Sequence, residues 1–205
     1  MTSATLAGPT SSVLEVKHSR FIVNAAPATT PQAALDFVAA VSDPAATHNC
    51  WAYRIGSEYR FNDDGEPAGT AGRPILAAID GQGLDQVAAV VTRWYGGIKL
   101  GAGGLVRAYG GSAAECMRVA PRRVLVAFVV VDLDHAFEDT GAVHAAMAAH
   151  AAEKLDERFD AQGAHLRLRL PLAELPPLKV RLRDATRDRV RFGDQLPDMR
   201  VTRSP

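Results

Sequence analysis

Two short stretches carry residue types and spacings that could do chemistry. The first is Arg93 to Gly111, RWYGGIKLGAGGLVRAYGG, where Gly96, Gly97, Gly101, Gly103 and Gly104 lie between a β-type run, Val87 to Thr92, and an apolar helical pattern beginning at Leu105. Glycines let another molecule approach the main chain, and unpaired N–H groups at a helix start favour an anion. The only charges in this window, Arg93, Lys99 and Arg107, are positive, which points to binding of a phosphate or a nucleic-acid backbone. The spelling is neither a Walker A pattern nor a dinucleotide fingerprint. The competing reading is a tight turn that lets helix and sheet pack closely, with the basic residues in solvent.

The second stretch is an acidic turn, Asn62-Asp63-Asp64-Gly65-Glu66-Pro67, with His48 upstream. Asp63, Asp64, Glu66 and His48 are a set that could hold Mg²⁺ or work in acid–base chemistry; no other cofactor is expected. Alternatively, the carboxylates cap the turn's backbone and pair with Arg73 or Arg54. Thr70 is the expected cap of the helix that follows, and the Arg73 guanidinium suits either a phosphate or a carboxylate. His48 and Cys50 share one face of a strand, but no third group is legible to complete a Cys–His nucleophile. Trp51, Tyr53, Trp94 and Tyr95 suit either base stacking or core. Further on, Arg167 and Arg169 alternate with Leu166, Leu168 and Leu170, giving one strand a basic face that fits either RNA or a surface laced with ion pairs.

These groups need elements to position them. At 205 residues with 47% hydrophobic and 22% charged residues, the chain suits one large or two small globular domains. There is no apolar run of membrane-spanning length and no signal-peptide pattern in MTSATLAGPTSS, so a cytoplasmic protein is expected. Net charge is zero, 23 basic against 23 acidic, so nucleic-acid binding would need a local patch. Residues 1–12 read as a flexible end, and residues 13–120 as a first domain. In it, strands at Val13–Val16 and Phe21–Ala25 precede a helix capped by Thr30-Pro31, a hairpin around Gly56, a short helix after Gly72, the internal strand at Val87 and the helix from Leu105. Gly110 and Gly111 predict a close approach to that helix, most simply by a strand. Residues 121–205 read as β-α-β-β-α-β, a ferredoxin-like order: one strand from Arg122 to Asp132, a helix from Phe137 capped by Asp134, a hairpin around Gln162-Gly163, a helix within Leu172–Thr186 and a strand from Asp188 to Phe192.

Four blocks then stand in order: HSRFI from His18, THNCWAY from Thr47, DDGEPAGTAGRP from Asp63, and the glycine stretch to Tyr109. Together they resemble the IMPACT family in its bacterial YigZ-type form, over roughly residues 15 to 120. The resemblance implies an α+β chain of two domains. The first would have the sheet-and-two-helix fold shared by RNase PH and a small-subunit ribosomal protein; the second would be ferredoxin-like, similar to the last domain of elongation factor G. Both folds recur in proteins that contact RNA or the ribosome, and no nucleophile–base constellation is legible, so a non-enzymatic role in regulating translation is expected, with RNA or the ribosome, or a translation-factor protein, as partner. A metal-dependent enzyme acting on a phosphorylated or nucleotide substrate is the other reading the residues allow.

Overall fold

The computed structural model describes residues 4–198 and divides into two compact units, the first reaching Leu125 and the second starting at Val126. In chain order the first unit holds β1 (Ala4–Leu6), β2 (Thr10–Val16), β3 (Ser19–Pro27), α1 (Pro31–Val41), β4 (His48–Ile55), β5 (Glu58–Asn62), α2 (Gly72–Gly81), β6 (Val87–Trp94), α3 (Ala102–Val119) and β7 (Arg122–Val124). The Thr30 hydroxyl accepts the Ala33 N–H and Pro31 occupies the first turn of α1, as the sequence pattern predicts.

Five strands form one antiparallel sheet in the order β2-β3-β6-β4-β5. Strand β6 is central, and Val87 to Arg93 are all buried. Alternation sends Val87, Ala89 and Val91 to the face covered by α2 and α3, where they meet Phe21, Ile75, Ile79, Tyr109 and Met117. Ala88 faces a smaller cluster with Ala34 of α1, Tyr53 and Trp51. The sheet is therefore backed by two helices on one face, as expected, and also by α1 on the other.

Several boundaries differ from the sequence reading. Residues 1–3 lie outside the described residues, but Ala4–Leu6 is not a loose end: β1 pairs with β7, and Thr5 and Leu6 are fully buried. The apolar run from Arg122 is consequently split, β7 serving the first unit and β8 (Phe128–His135) the second. The close approach at Gly110 comes from a helix, since a Cβ there would lie 3.3 Å from Pro74 Cβ in α2; at Gly111 nothing lies within 4 Å.

The second unit continues from β8 with α4 (Thr140–Ala149), β9 (Glu153–Phe159), β10 (Ala164–Pro171), α5 (Leu175–Thr186) and β11 (Arg191–Asp198). Its sheet order, β11-β8-β10-β9, is the ferredoxin-like arrangement. Val129, Val131, Leu133, Leu166, Leu168 and Leu170 face Val143 and Met147 of α4 and Leu178 and Leu182 of α5. Asp134 is not a helix cap here. It lies within β8, and a short 3₁₀ turn at Phe137–Asp139 leads into α4.

One glycine of the loop is required by packing. A Cβ at Gly96 would fall 2.0 Å from the His18 carbonyl carbon, where the tight Lys17-His18 turn between β2 and β3, both residues at positive φ, abuts the loop. Gly96→Ala is expected to cost about 3 kcal/mol or more, since backbone cannot yield as a side chain can. Gly111→Ala, on an exposed face of α3, should gain about 0.5–1 kcal/mol. Urea unfolding of both variants checks the opposite signs.

Candidate functional site

Strand alternation carries Arg93, near the end of β6, to the same face as Val87, Ala89 and Val91, so its guanidinium enters the first unit instead of solvent. It is 4% exposed. Nη1 donates to Glu66 Oε1 at 2.5 Å and Nη2 to Ser19 Oγ at 3.3 Å. Glu66, itself buried, also accepts the Tyr109 hydroxyl of α3 at 2.7 Å, and Ser19 Oγ accepts the Gly96 N–H at 3.2 Å. One ion pair thus joins the acidic turn, β6, the start of β3, the glycine loop and α3. Arg93, grouped by the sequence with the ligand-facing cations, is an internal anchor: its side chain is buried at this position in β6, and Glu66 is its ion-pair partner among the described residues.

The rest of the acidic turn is engaged in the same way. The Asp63 carboxylate accepts three backbone N–H groups, from Gly69 at 2.8 Å, Ala71 at 3.0 Å and Gly72 at 2.8 Å. It therefore caps α2 in place of Thr70, whose hydroxyl donates to the Pro67 carbonyl at 2.6 Å. The Asp64 carboxylate accepts the Asn49 N–H at 2.5 Å, and its carbonyl accepts His48 Nδ1–H at 2.7 Å, which turns His48 Nε2 toward Glu66 Oε1 at 3.8 Å. The Cys50 thiol donates to the Asp63 carbonyl at 3.0 Å, and burial pushes its pKa up to about 12. It stays protonated near neutrality, which removes it as a nucleophile paired with His48. Burial also raises the Tyr109 hydroxyl well above its ordinary value. Among the described residues, no three His, Cys, Asp or Glu side chains are placed to hold a metal. Arg54 grips Asp80 through two hydrogen bonds of 2.7 Å, not the turn.

Above this buried layer lies the glycine loop. Gly101, at φ +71, opens α3 without a side-chain cap. Lys99 and Arg107 are exposed and make no ion pair among the described residues; the same holds for Arg73 on the first turn of α2. Arg107 Nη1 lies 3.6 Å from where a Gly103 Cβ would sit, so the guanidinium folds back over the first turn of α3. A Cβ at Gly104 would meet Leu100 Cβ at 3.0 Å. The four aromatics divide. Trp51 and Tyr53 stack at 6.2 Å on the α1 side, Arg20 lies over half-buried Trp94, and Tyr95 is 45% exposed. Lys17 of the β2–β3 turn, brought to the loop at Gly96, did not stand out in the sequence. The signal available was a two-residue connection between strands.

In the second unit Arg167 and Arg169 share one face of β10, as alternation requires, but both are paired. Arg167 binds Asp132, its cross-strand partner, at 2.8 and 3.1 Å and lowers that carboxyl's pKa. Arg169 is buried, lies 3.9 Å over the Phe128 ring and reaches Glu153 at 3.5 Å. His165 is held between Asp160 and Asp134, which raise its pKa. The face is charge-balanced, so Arg167 and Arg169 do not join Lys99 and Arg107 as uncompensated cations.

Removing one partner of the buried pair leaves the other charge uncompensated. Glu66→Ala is expected to lower stability by roughly 3–5 kcal/mol, whereas Lys99→Ala should change it by less than about 0.5 kcal/mol. Equal, small effects in urea unfolding would contradict the internal role given to Arg93 and Glu66.

Comparison with known proteins places this geometry in a family. The model of the Impact N-terminal domain matches residues 17–117, the segment containing both the acidic turn and the glycine loop. An IMPACT family member in the pol 5′ region of Thermus thermophilus is 49% identical over 85% of this chain and 97% of its own. IMPACT family member YigZ of Escherichia coli (strain K12) is 36% identical over 88% of this chain and 92% of its own. A crystal structure described as that of a hypothetical protein aligns with a TM-score of 0.61 at 33% identity, covering 93% of this chain and 96% of that one. With such identity over nearly the whole length of the relatives, the chain belongs to the IMPACT family.

Proposed function

We propose that this protein is a non-enzymatic, cytoplasmic regulator associated with translation, which binds RNA on the ribosome through the glycine loop of its first unit. The observation carrying this reading is the pair Lys99 and Arg107, exposed and without acidic partners among the described residues, at a glycine-lined, uncapped helix start. Uncompensated cations beside free N–H groups suit an anionic backbone. With zero net charge, the attraction is local and the complex is held by this patch. Arg73, exposed on the first turn of α2, is a further cation of the first unit; Arg167 and Arg169 of the second unit are paired. The family's resemblance to translation-associated proteins agrees with this partner class, by analogy only.

Binding is favoured over turnover because the residues that would run a reaction are otherwise occupied. Asp63 caps α2, Glu66 neutralises Arg93 and Cys50 is held as a thiol. The test is co-sedimentation with ribosomes and separated subunits across a salt series. Wild type should bind with strong salt dependence, and Lys99→Ala/Arg107→Ala should weaken binding and reduce the slope of log K against log salt by about 2. A folded double variant that binds like wild type at every salt concentration would overturn the assignment.

A further inference from the structure

Of the four aromatics singled out above, Tyr95 stands most open to a base. Tyr95 is 45% exposed and immediately precedes Gly96, so it lies at the exit of β6 with the β2–β3 turn on one side and the loop cations on the other. Its ring is not loose. The Arg93 guanidinium lies over it, 5.4 Å from the ring centroid, and that guanidinium is fixed in turn by Glu66 and Ser19. The Tyr95 N–H donates to Thr47 Oγ1 at 3.0 Å, which pins the main chain beneath the ring. One part of the ring is therefore backed by a buried, immobilised cation while the remainder is open to solvent.

The charges nearby suit a strand that turns its bases inward and leaves its phosphates outside. Lys17 is exposed on the turn that abuts Gly96, and Lys99 is exposed farther along the loop; neither has an ion-pair partner among the described residues. Ile98, between Tyr95 and Lys99 in the loop, is 43% exposed and adds apolar surface to it. A stacked duplex hides the faces of its bases, whereas a single strand presents them. A fixed ring flanked by separate cations thus discriminates between the two. Resting on the RNA-binding reading above, we infer that Tyr95 is a stacking platform for an unpaired base and that Lys17 and Lys99 hold the flanking phosphates, so the ligand is single-stranded RNA.

Fluorescence anisotropy with a labelled oligouridylate and a blunt RNA duplex of the same length tests this on the full chain. The single strand should bind more tightly than the duplex. Tyr95→Ala should weaken the single strand roughly 5- to 150-fold, the range set by loss of one base stack, while leaving the salt slope unchanged because no phosphate contact is removed. Tyr95→Phe should retain affinity; Tyr95→Leu, which preserves apolar bulk but not the ring, should lose it, and serves if the alanine variant folds poorly. Lys17→Ala should instead reduce the slope by about 1. RNA binding that depends on Lys99 and Arg107 but is indifferent to Tyr95→Ala and Tyr95→Leu, or that favours duplex, would overturn the stacking site and leave the RNA-binding reading standing. Absence of salt-dependent binding to either RNA would overturn both.

Discussion

The first unit depends on the burial of one charge pair. Arg93 ends a strand whose other inward residues are apolar, and water cannot solvate its guanidinium there. Glu66 supplies the compensating charge, but only if the acidic turn folds over the end of the sheet. Desolvation makes such a pair a modest source of stability and a strong source of specificity, since each partner is costly without the other. That constraint fixes where the turn sits, and Tyr109 and Ser19 bring α3 and β3 to the same point.

The chemical consequence follows from which charges remain outside. Once Glu66 and Asp63 are consumed by Arg93 and by the start of α2, the acidic turn offers little to a substrate, while Lys99, Arg107 and Arg73 keep their charges facing solvent. Of the two blocks that read as rival sites, the acidic one is tied into the fold by Glu66 and Asp63, while the basic one keeps Lys99 and Arg107 exposed. Gly96 is tied into the fold as well, because only a residue without Cβ lets the β2–β3 turn close against the loop. On β10 of the second unit, by contrast, Arg167 and Arg169 are each met by a carboxylate of a neighbouring strand, Asp132 and Glu153.

Much of the architecture was legible in local pattern. Thr30-Pro31 marks the start of α1, the apolar run of Val87 to Thr92 requires a strand covered on both faces, and the alternation in Leu166 to Leu170 separates core from surface. What was not legible depended on partners remote in sequence. Nothing near Arg93 reveals that it points inward; its carboxylate lies 27 positions away. Asp63 caps a helix that begins at Gly72, across an intervening loop, so Thr70 is the nearer and wrong candidate. The strand β1 is three residues long, and only its pairing with β7 identifies it. Tyr95 shares the parity of buried Arg93 but lies just past the end of β6, so alternation alone does not reveal its exposure.

The Glu66–Arg93 pair, joined through Ser19 to the Gly96 amide, is expected to hold the glycine loop in its conformation. Amide hydrogen exchange in Glu66→Gln, which keeps the side chain's shape and removes its charge, tests it most directly. Protection should fall at Gly96 and through the loop to Leu105, while amides in the centre of β6 and in β3 keep their wild-type rates. Unchanged exchange in the loop, in a variant whose charge pair is gone, would show that the loop is held by something other than Glu66 and Arg93.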